Sequence, residues 1–133
     1  MEIVKVAHLE NAETVSFGDL AHYRPLIADG DTPMRTGIQV SEPGYEAPPH
    51  SHPYWEMLLI LDGQAEAWMM DTPEKIIPLK AGDMIALPPN QAHSFRTVGD
   101  QTMRLLGIHH SPERIVEYTE GESGPDGYPV VDN

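Results

Sequence analysis

Four side chains in this sequence have the types and spacing of a metal centre: His50, His52, Glu56 and His93. His50 and His52 stand two apart, and in an extended strand residues i and i+2 share a face, so both imidazoles point the same way. Glu56 keeps that parity where the strand stays regular, although Pro53 introduces a local irregularity. One short segment therefore sets two nitrogens and a carboxylate around a common point. His93 follows on a different strand, behind the turn Pro88-Pro89-Asn90, and facing strands of a closed barrel bring it to the same point. Three neutral imidazoles and one carboxylate suit one divalent transition metal, drawn from Mn, Fe, Ni, Co, Cu and Zn. A six-coordinate ion held by four protein ligands keeps two positions open for water, O₂ or a chelating substrate, as catalysis at a metal requires. The bland alternative is a site without metal, its histidines satisfied by mutual hydrogen bonds.

Other residues could serve such a centre. His109 and His110 are adjacent at the end of a strand and face opposite sides. One of them can reach the barrel mouth as an acid or base, and His109 is the candidate; the alternative is a strand-end surface histidine. Of Tyr54 and Trp55, one must point away from the metal, and Tyr54 is the candidate proton shuttle, with packing beneath the site as the alternative. Arg35 and Gln39 share one face of an early strand. Turned inward they clamp a substrate carboxylate or carbonyl; turned outward they are a solvated edge. Trp68 and Phe95 are candidates for the pocket wall, with core or interface packing as their alternative.

The elements that must position these groups are short strands. Met34–Glu42 has strand character around Gly37-Ile38-Gln39-Val40 and stops at Pro43-Gly44. Glu56–Leu61 is a strong strand, followed by Asp62-Gly63, a dipeptide favoured in type I′ hairpin turns. Gln64–Met70 reads as the return strand. Lys75–Leu79 is a short strand whose ladder Pro78 leaves incomplete on one side. Met84–Leu87, Ala92–Thr97 and Met103–His109 complete the series, separated by turns. Ser111-Pro112-Glu113 has the order of a helix start, predicting a helical turn or two to Tyr118. Turn signals spaced about every 8–12 residues indicate an antiparallel sandwich or barrel.

Bulk properties narrow the function classes. A length of 133 residues suits one core, and 13 Pro with 11 Gly favour many chain reversals over long helices. The net charge of −13 repels phosphate backbones and anionic membranes, so neither nucleic acid nor membrane is an expected partner. With no Cys there is no disulfide, thiolate site or thiol nucleophile, which fits the cytoplasm. Met1–Lys5 shows no basic region leading into an apolar stretch, so no signal peptide is expected. Met57–Leu61 is apolar on both faces, more than a barrel interior needs, and a homodimer by sheet packing is expected to cover the surplus.

These residues carry a family resemblance. Gly44, five residues, His50-Ser51-His52, three residues, Glu56, six residues and Gly63 resemble the first cupin motif, at 44–63. Gly82, five residues, Pro88 and then His93 resemble the second, at 82–97. Asn90 departs from the usual Gly, and Thr97 from a frequent Asn. Asn tolerates left-handed backbone better than most residues, so the turn can survive. The resemblance implies an all-β fold, the double-stranded β-helix or jelly-roll barrel of a small single-domain cupin. The barrel is expected over residues 1–118, with an acidic C-terminal tail over 119–133. The resemblance also implies that His50, His52, Glu56 and His93 are the metal ligands. The implied activity is that of a metal-dependent enzyme on a small oxygenated organic acid or sugar derivative, of the dioxygenase, isomerase, lyase or decarboxylase class. The alternative is a non-catalytic module that binds or senses a metal or small ligand.

Overall fold

The computed structural model describes residues 3–121 and 123–129. Met1, Glu2, Glu122 and 130–133, the last five within the expected tail, lie outside the described residues. Among the described residues the chain forms strands β1 (Val15–Ser16), β2 (Ala21–Pro25), β3 (Arg35–Ser41), β4 (His50–Ser51), β5 (Glu56–Asp62), β6 (Gln64–Met69), β7 (Ile77–Lys80), β8 (Met84–Leu87), β9 (His93–Val98), β10 (Met103–His109) and β11 (Glu117–Tyr118). They build two antiparallel sheets, ordered β1-β2-β3-β10-β5-β8 and β11-β4-β9-β6-β7. This is the expected all-β jelly roll. No helix among the described residues is long and apolar enough to cross a membrane.

Alternation sets the core. In β10, Met103, Leu105, Gly107 and His109 are buried, and in β5 Glu56, Leu58 and Ile60 are. Leu87 on β8 belongs to the same sheet, and Ala65, Ala67, Leu79 and Phe95 close the apolar interior from the second sheet. The polar residues Glu56 and His109 thus continue the inward rows whose other members are apolar or glycine.

Two local expectations change. Asp62-Gly63 does not close a hairpin: β5 and β6 belong to different sheets, and the chain changes sheet at Gly63. Gly63 has φ +78°, and a Cβ there would stand 2.7 Å from the Thr102 carbonyl oxygen, so the corner tolerates only glycine. The helical turn expected from Ser111 to Tyr118 is not formed. Ser111 does accept a bond from the Glu113 N–H at 3.2 Å, but the chain then extends into β11. The short helical turn near the C-terminus lies instead at Pro125–Gly127. Local capping signals were overridden by pairing of β11 with β4, where Tyr118 lies opposite His50 and Glu117 opposite Ser51. Two other expectations hold: Pro78 sits on the edge strand β7, and Asn90 adopts φ +63° in the turn before β9.

Candidate metal centre

Both sheets contribute to the centre. His50 on β4 and His93 on β9 are direct register partners in one sheet, neighbours rather than residues of facing strands. Glu56 opens β5 in the other sheet, where its register partner is His109 on β10. His52 lies between, in the stretch where the chain passes from one sheet to the other, and its carbonyl accepts the Asn90 N–H at 2.7 Å. The irregularity at Pro53 is therefore a change of sheet, and it is what turns Glu56 back towards the two histidines.

The hydrogen bonds fix each imidazole's tautomer. His50 Nδ1 lies 2.8 Å from the Pro48 carbonyl oxygen, His52 Nδ1 2.7 Å from that of Ile115, and His93 Nδ1 3.0 Å from that of Gln91. A carbonyl only accepts, so each Nδ1 carries the hydrogen and each Nε2 presents a lone pair. His52 Nε2 and His93 Nε2 are buried without a hydrogen-bond partner and stand 3.4 and 3.3 Å from Glu56 Oε1. One ligand atom from each of the four residues falls within 4.8 Å of all the others. Buried lone pairs converging on a carboxylate oxygen repel one another unless a cation lies among them. Bonds of about 2.1 Å to a common ion span about 4.2 Å across it, so the set is close to the size of a metal's coordination sphere. The residues present fit one divalent transition metal.

Electrostatics favour a neutral His50 beside an ionised Glu56. Burial, opposed by the Glu56 charge, pushes His50 down to about 3. Burial alone would raise the Glu56 carboxyl, but the hydrogen bond and charge of His109 outweigh it, leaving Glu56 ionised well below the usual range. Burial also lowers His109, against the pull of Glu56. These two shifts are reconciled by a neutral His109 that still donates its Nε2–H to Glu56 Oε2, at 2.9 Å. Its Nδ1 then accepts from the Tyr54 hydroxyl at 2.6 Å.

The remaining sequence candidates separate cleanly. His109 is buried and His110 exposed; Tyr54 is 8% exposed and Trp55 46%. Tyr54 also stacks on His52, with ring centroids 5.0 Å apart and 16° between planes. Arg35 and Gln39 are buried on the inward face of β3. Gln39 lines the chamber beside the centre, whereas Arg35 binds the Ala28 carbonyl and the Tyr128 hydroxyl at the barrel mouth. Phe95 is both core and chamber wall. Trp68 is not in the chamber. Alternation along β6 sends Ala65 and Ala67 inward and Trp68 outward, where Arg96 stacks over its ring at 5.3 Å.

Sequence reasoning missed the chamber's roof and back wall. Phe17, Tyr23, Tyr45 and Tyr118 join Phe95 in lining it with rings, and Arg114 brings a guanidinium. The free volume is about 50 Å³, room for an ion and a few waters. No sequence signal marks the Ile115 carbonyl that orients His52.

Comparison with known proteins accords with this architecture. The family profile described as "Cupin domain" matches residues 37–109. "Polyketide synthase CurC" of Streptomyces cyaneus is 31% identical over 96 residues, which are 71% of this chain and 60% of that protein. The solved structure of the polyketide cyclase RemF from Streptomyces resistomycificus superposes with a TM-score of 0.74 at 22% identity, covering 95% of this chain and 91% of that one. The oxalate decarboxylase of Lactobacillus farciminis gives a TM-score of 0.73 at 18% identity, over 84% of this chain but 35% of that one. With the profile spanning more than half of the sequence and both motifs converging on one donor set, the chain belongs to the cupin family.

Proposed function

We propose that this cupin is a metal-dependent enzyme acting on a small oxygenated organic acid or sugar derivative, by dioxygenase, isomerase, lyase or decarboxylase chemistry. The observation that carries this reading is the donor set: three imidazoles with Nδ1 committed to backbone carbonyls, and their Nε2 atoms gathered around an ionised Glu56. His50, His52, Glu56 and His93 would hold one Mn, Fe, Ni, Co, Cu or Zn ion per chain. Such an ion, when bound, supplies Lewis-acid polarisation of a chelating carbonyl or carboxylate. The protein's own groups do the rest. Gln39 offers an amide to a substrate oxygen, and Arg114 offers positive charge at the chamber wall. Tyr54 and His109 hold a proton one hydrogen bond from Glu56 Oε2. The surrounding rings exclude water, which strengthens each of these polar contacts.

The ring-lined wall favours a second substrate within the same reading, a planar polyoxygenated polyketide, in keeping with the names of the Streptomyces relatives. A molecule of that size exceeds about 50 Å³ and would enter only as the roof opens. The non-catalytic alternative is a metal- or ligand-binding module using the same four ligands. The reading also includes a homodimer joined through the outer face of the six-stranded sheet, where Met34, Trp55, Met57 and Met84 are exposed. With no Cys to call for an oxidising compartment, the cytoplasm is the proposed location.

Metal analysis of protein made in metal-replete medium tests the first step. Turnover and O₂ uptake are then followed with a panel of 1,2-dicarbonyl, enediol, uronate and polyphenolic compounds. Turnover abolished by His52→Ala supports the enzyme. Stoichiometric metal and ligand binding without turnover supports the module.

A further inference from the structure

The geometry points to the C-terminal strap, residues 111–121 and 123–129, as a working part of the metal centre: Arg114 is a positioning residue that holds the Ile115 peptide where it orients His52 and Glu56. This inference rests on the four-ligand reading above. The strap lies beyond residues 37–109, which carry the family match, so the motifs themselves do not imply it.

Ile115 contributes through its backbone. Its side chain is 46% exposed, yet its peptide groups meet two buried partners. The carbonyl accepts from His52 Nδ1 at 2.7 Å, which fixes Nε2 as the lone pair facing Glu56. The N–H donates to the Tyr54 hydroxyl at 3.3 Å. That hydroxyl donates to His109 Nδ1, and His109 donates to Glu56 Oε2. One residue of the strap is thus one bond from His52 and three bonds from Glu56. Partners of this kind set the orientation and basicity of metal ligands, and their loss weakens metal binding even though the ligands remain.

What holds Ile115 is not its own packing. On one side Arg114 clasps the far limb of the strap: its Nη1 donates to the Gly127 carbonyl, and its guanidinium lies 4.5 Å from the Tyr128 ring centroid. Tyr128 is buried against Phe17 and Tyr23, and its hydroxyl accepts from Arg35. On the other side β11 pairs with β4, the Thr119 N–H donates to the Pro49 carbonyl at 3.0 Å, and Tyr118 lies opposite His50. The strap is fastened at both ends, with the Ile115 peptide suspended between them over His52. A clasp that slackens lets His52 turn and Tyr54 lose a partner, while the barrel core beneath is untouched.

The test uses the full chain, freed of metal and titrated with Co²⁺ against a competing chelator. The readouts are affinity, the visible ligand-field spectrum and the melting temperature of the metal-free protein. Arg114→Met removes the clasp while keeping much of the bulk, Arg114→Lys keeps the charge, and Ile115→Pro removes the N–H to Tyr54 while also fixing φ there and restricting the Arg114 backbone. Arg104→Met breaks a surface ion pair with Asp62 far from the strap and serves as control. Expected are a Co²⁺ affinity weaker by about ten- to a hundredfold in Arg114→Met and Ile115→Pro, an altered spectrum, partial recovery in Arg114→Lys, and parental values in Arg104→Met. Parental affinity and spectrum in folded Arg114→Met overturn the inference, and that variant alone decides should Ile115→Pro fail to fold. If the parent itself binds no Co²⁺, the metal reading falls first; if the parent binds and the variants match it, only the strap's role falls.

Discussion

The Tyr54 hydroxyl lies 2.6 Å from His109 Nδ1, and this contact makes His109 a donor to Glu56. Burial raises Tyr54 to about 12, so its hydroxyl keeps its proton across the range in which enzymes are assayed. Tyr54→Phe keeps the ring that stacks on His52 and deletes the proton. We expect kcat to fall about tenfold with KM little changed, and a stability loss of about 1–3 kcal/mol from the buried groups left unpaired. His109→Gln should cost kcat about a hundredfold. Steady-state kinetics on metal-saturated protein checks both. Unchanged kcat in both variants removes the pair from the mechanism.

Metal should stabilise the fold, because the metal-free protein crowds lone pairs that the ion draws together. At metal concentrations a hundredfold above Kd the gain is about 2.7 kcal/mol, which for a domain of this size raises Tm by on the order of 10 °C. His52→Ala and Glu56→Gln should lose most of that increment. Thermal melts with and without chelator measure it. Equal shifts in parent and variants would place the ion elsewhere on the protein.

The pH dependence of the metal-free protein follows from three buried groups. His50 sits at about 3 in the fold against an ordinary 6.5, with burial the main cause, and burial lowers His109 as well. Glu56 lies well below its ordinary 4.5. In all three the folded value is below the unfolded one, so the unfolded chain binds the extra proton. The histidine contribution is therefore complete above about pH 6.5 and shrinks as pH falls towards 3, with the Glu56 contribution following below about 4.5. Each such proton is worth about 1.4 kcal/mol per pH unit. Urea titrations should give a lower midpoint at pH 5 than at pH 7 with the same m-value. His50→Gln should flatten that dependence; a dependence as steep as the parent's would mean that His50 is not the group responsible.

The sequence carried the ligands and the strand series because both are local. His50, His52 and Glu56 sit in one short stretch, and turn residues delimit the strands, although the inward face of the Arg35–Gln39 and Met103–His109 strands stayed open. It also carried Asn90, whose type fits the left-handed turn observed there. It failed where the deciding partner is remote in sequence. Asp62-Gly63 has hairpin chemistry, but the close approach of Thr102 makes it a corner between sheets. Ser111-Pro112-Glu113 has helix-start chemistry, but pairing with β4 draws the chain out. Of the two readings of Trp68, the pocket wall fails, since the inward positions of β6 are filled by alanines. The Ile115 carbonyl has no side-chain signature at all.

The outer face of the six-stranded sheet leads to a prediction about assembly. Met57 is 39% exposed and Met84 51%, on adjacent strands β5 and β8, with Trp55 and Ile108 beside them. Sedimentation velocity should find the parent at twice 14.8 kDa. The double variant Met57→Lys, Met84→Lys should run as a monomer with its metal content intact, because neither residue touches the centre. A monomeric parent would mean that this face has another use.

Gly37 and Gly107 are register partners on β3 and β10, both buried, yet they should respond oppositely to a methyl group. The Tyr23 ring lies across Gly37, so an added Cβ would fall 2.1 Å from its hydroxyl oxygen and 2.2 Å from Cζ. The ring cannot withdraw easily: Phe17 stacks on it at 5.7 Å and Tyr128 packs at 5.8 Å. At Gly107 the nearest atom would be Leu58 Cδ2 at 3.6 Å, an ordinary contact. Gly37→Ala should therefore cost about 1–3 kcal/mol and displace the Tyr23–Tyr128 contact that roofs the chamber. Gly107→Ala should stay within about 0.5 kcal/mol of the parent, because the new methyl meets no overlap. Urea midpoints of the two variants measure the difference. Equal losses would mean that Tyr23 can move aside, and that the roof over the metal centre is looser than its packing implies.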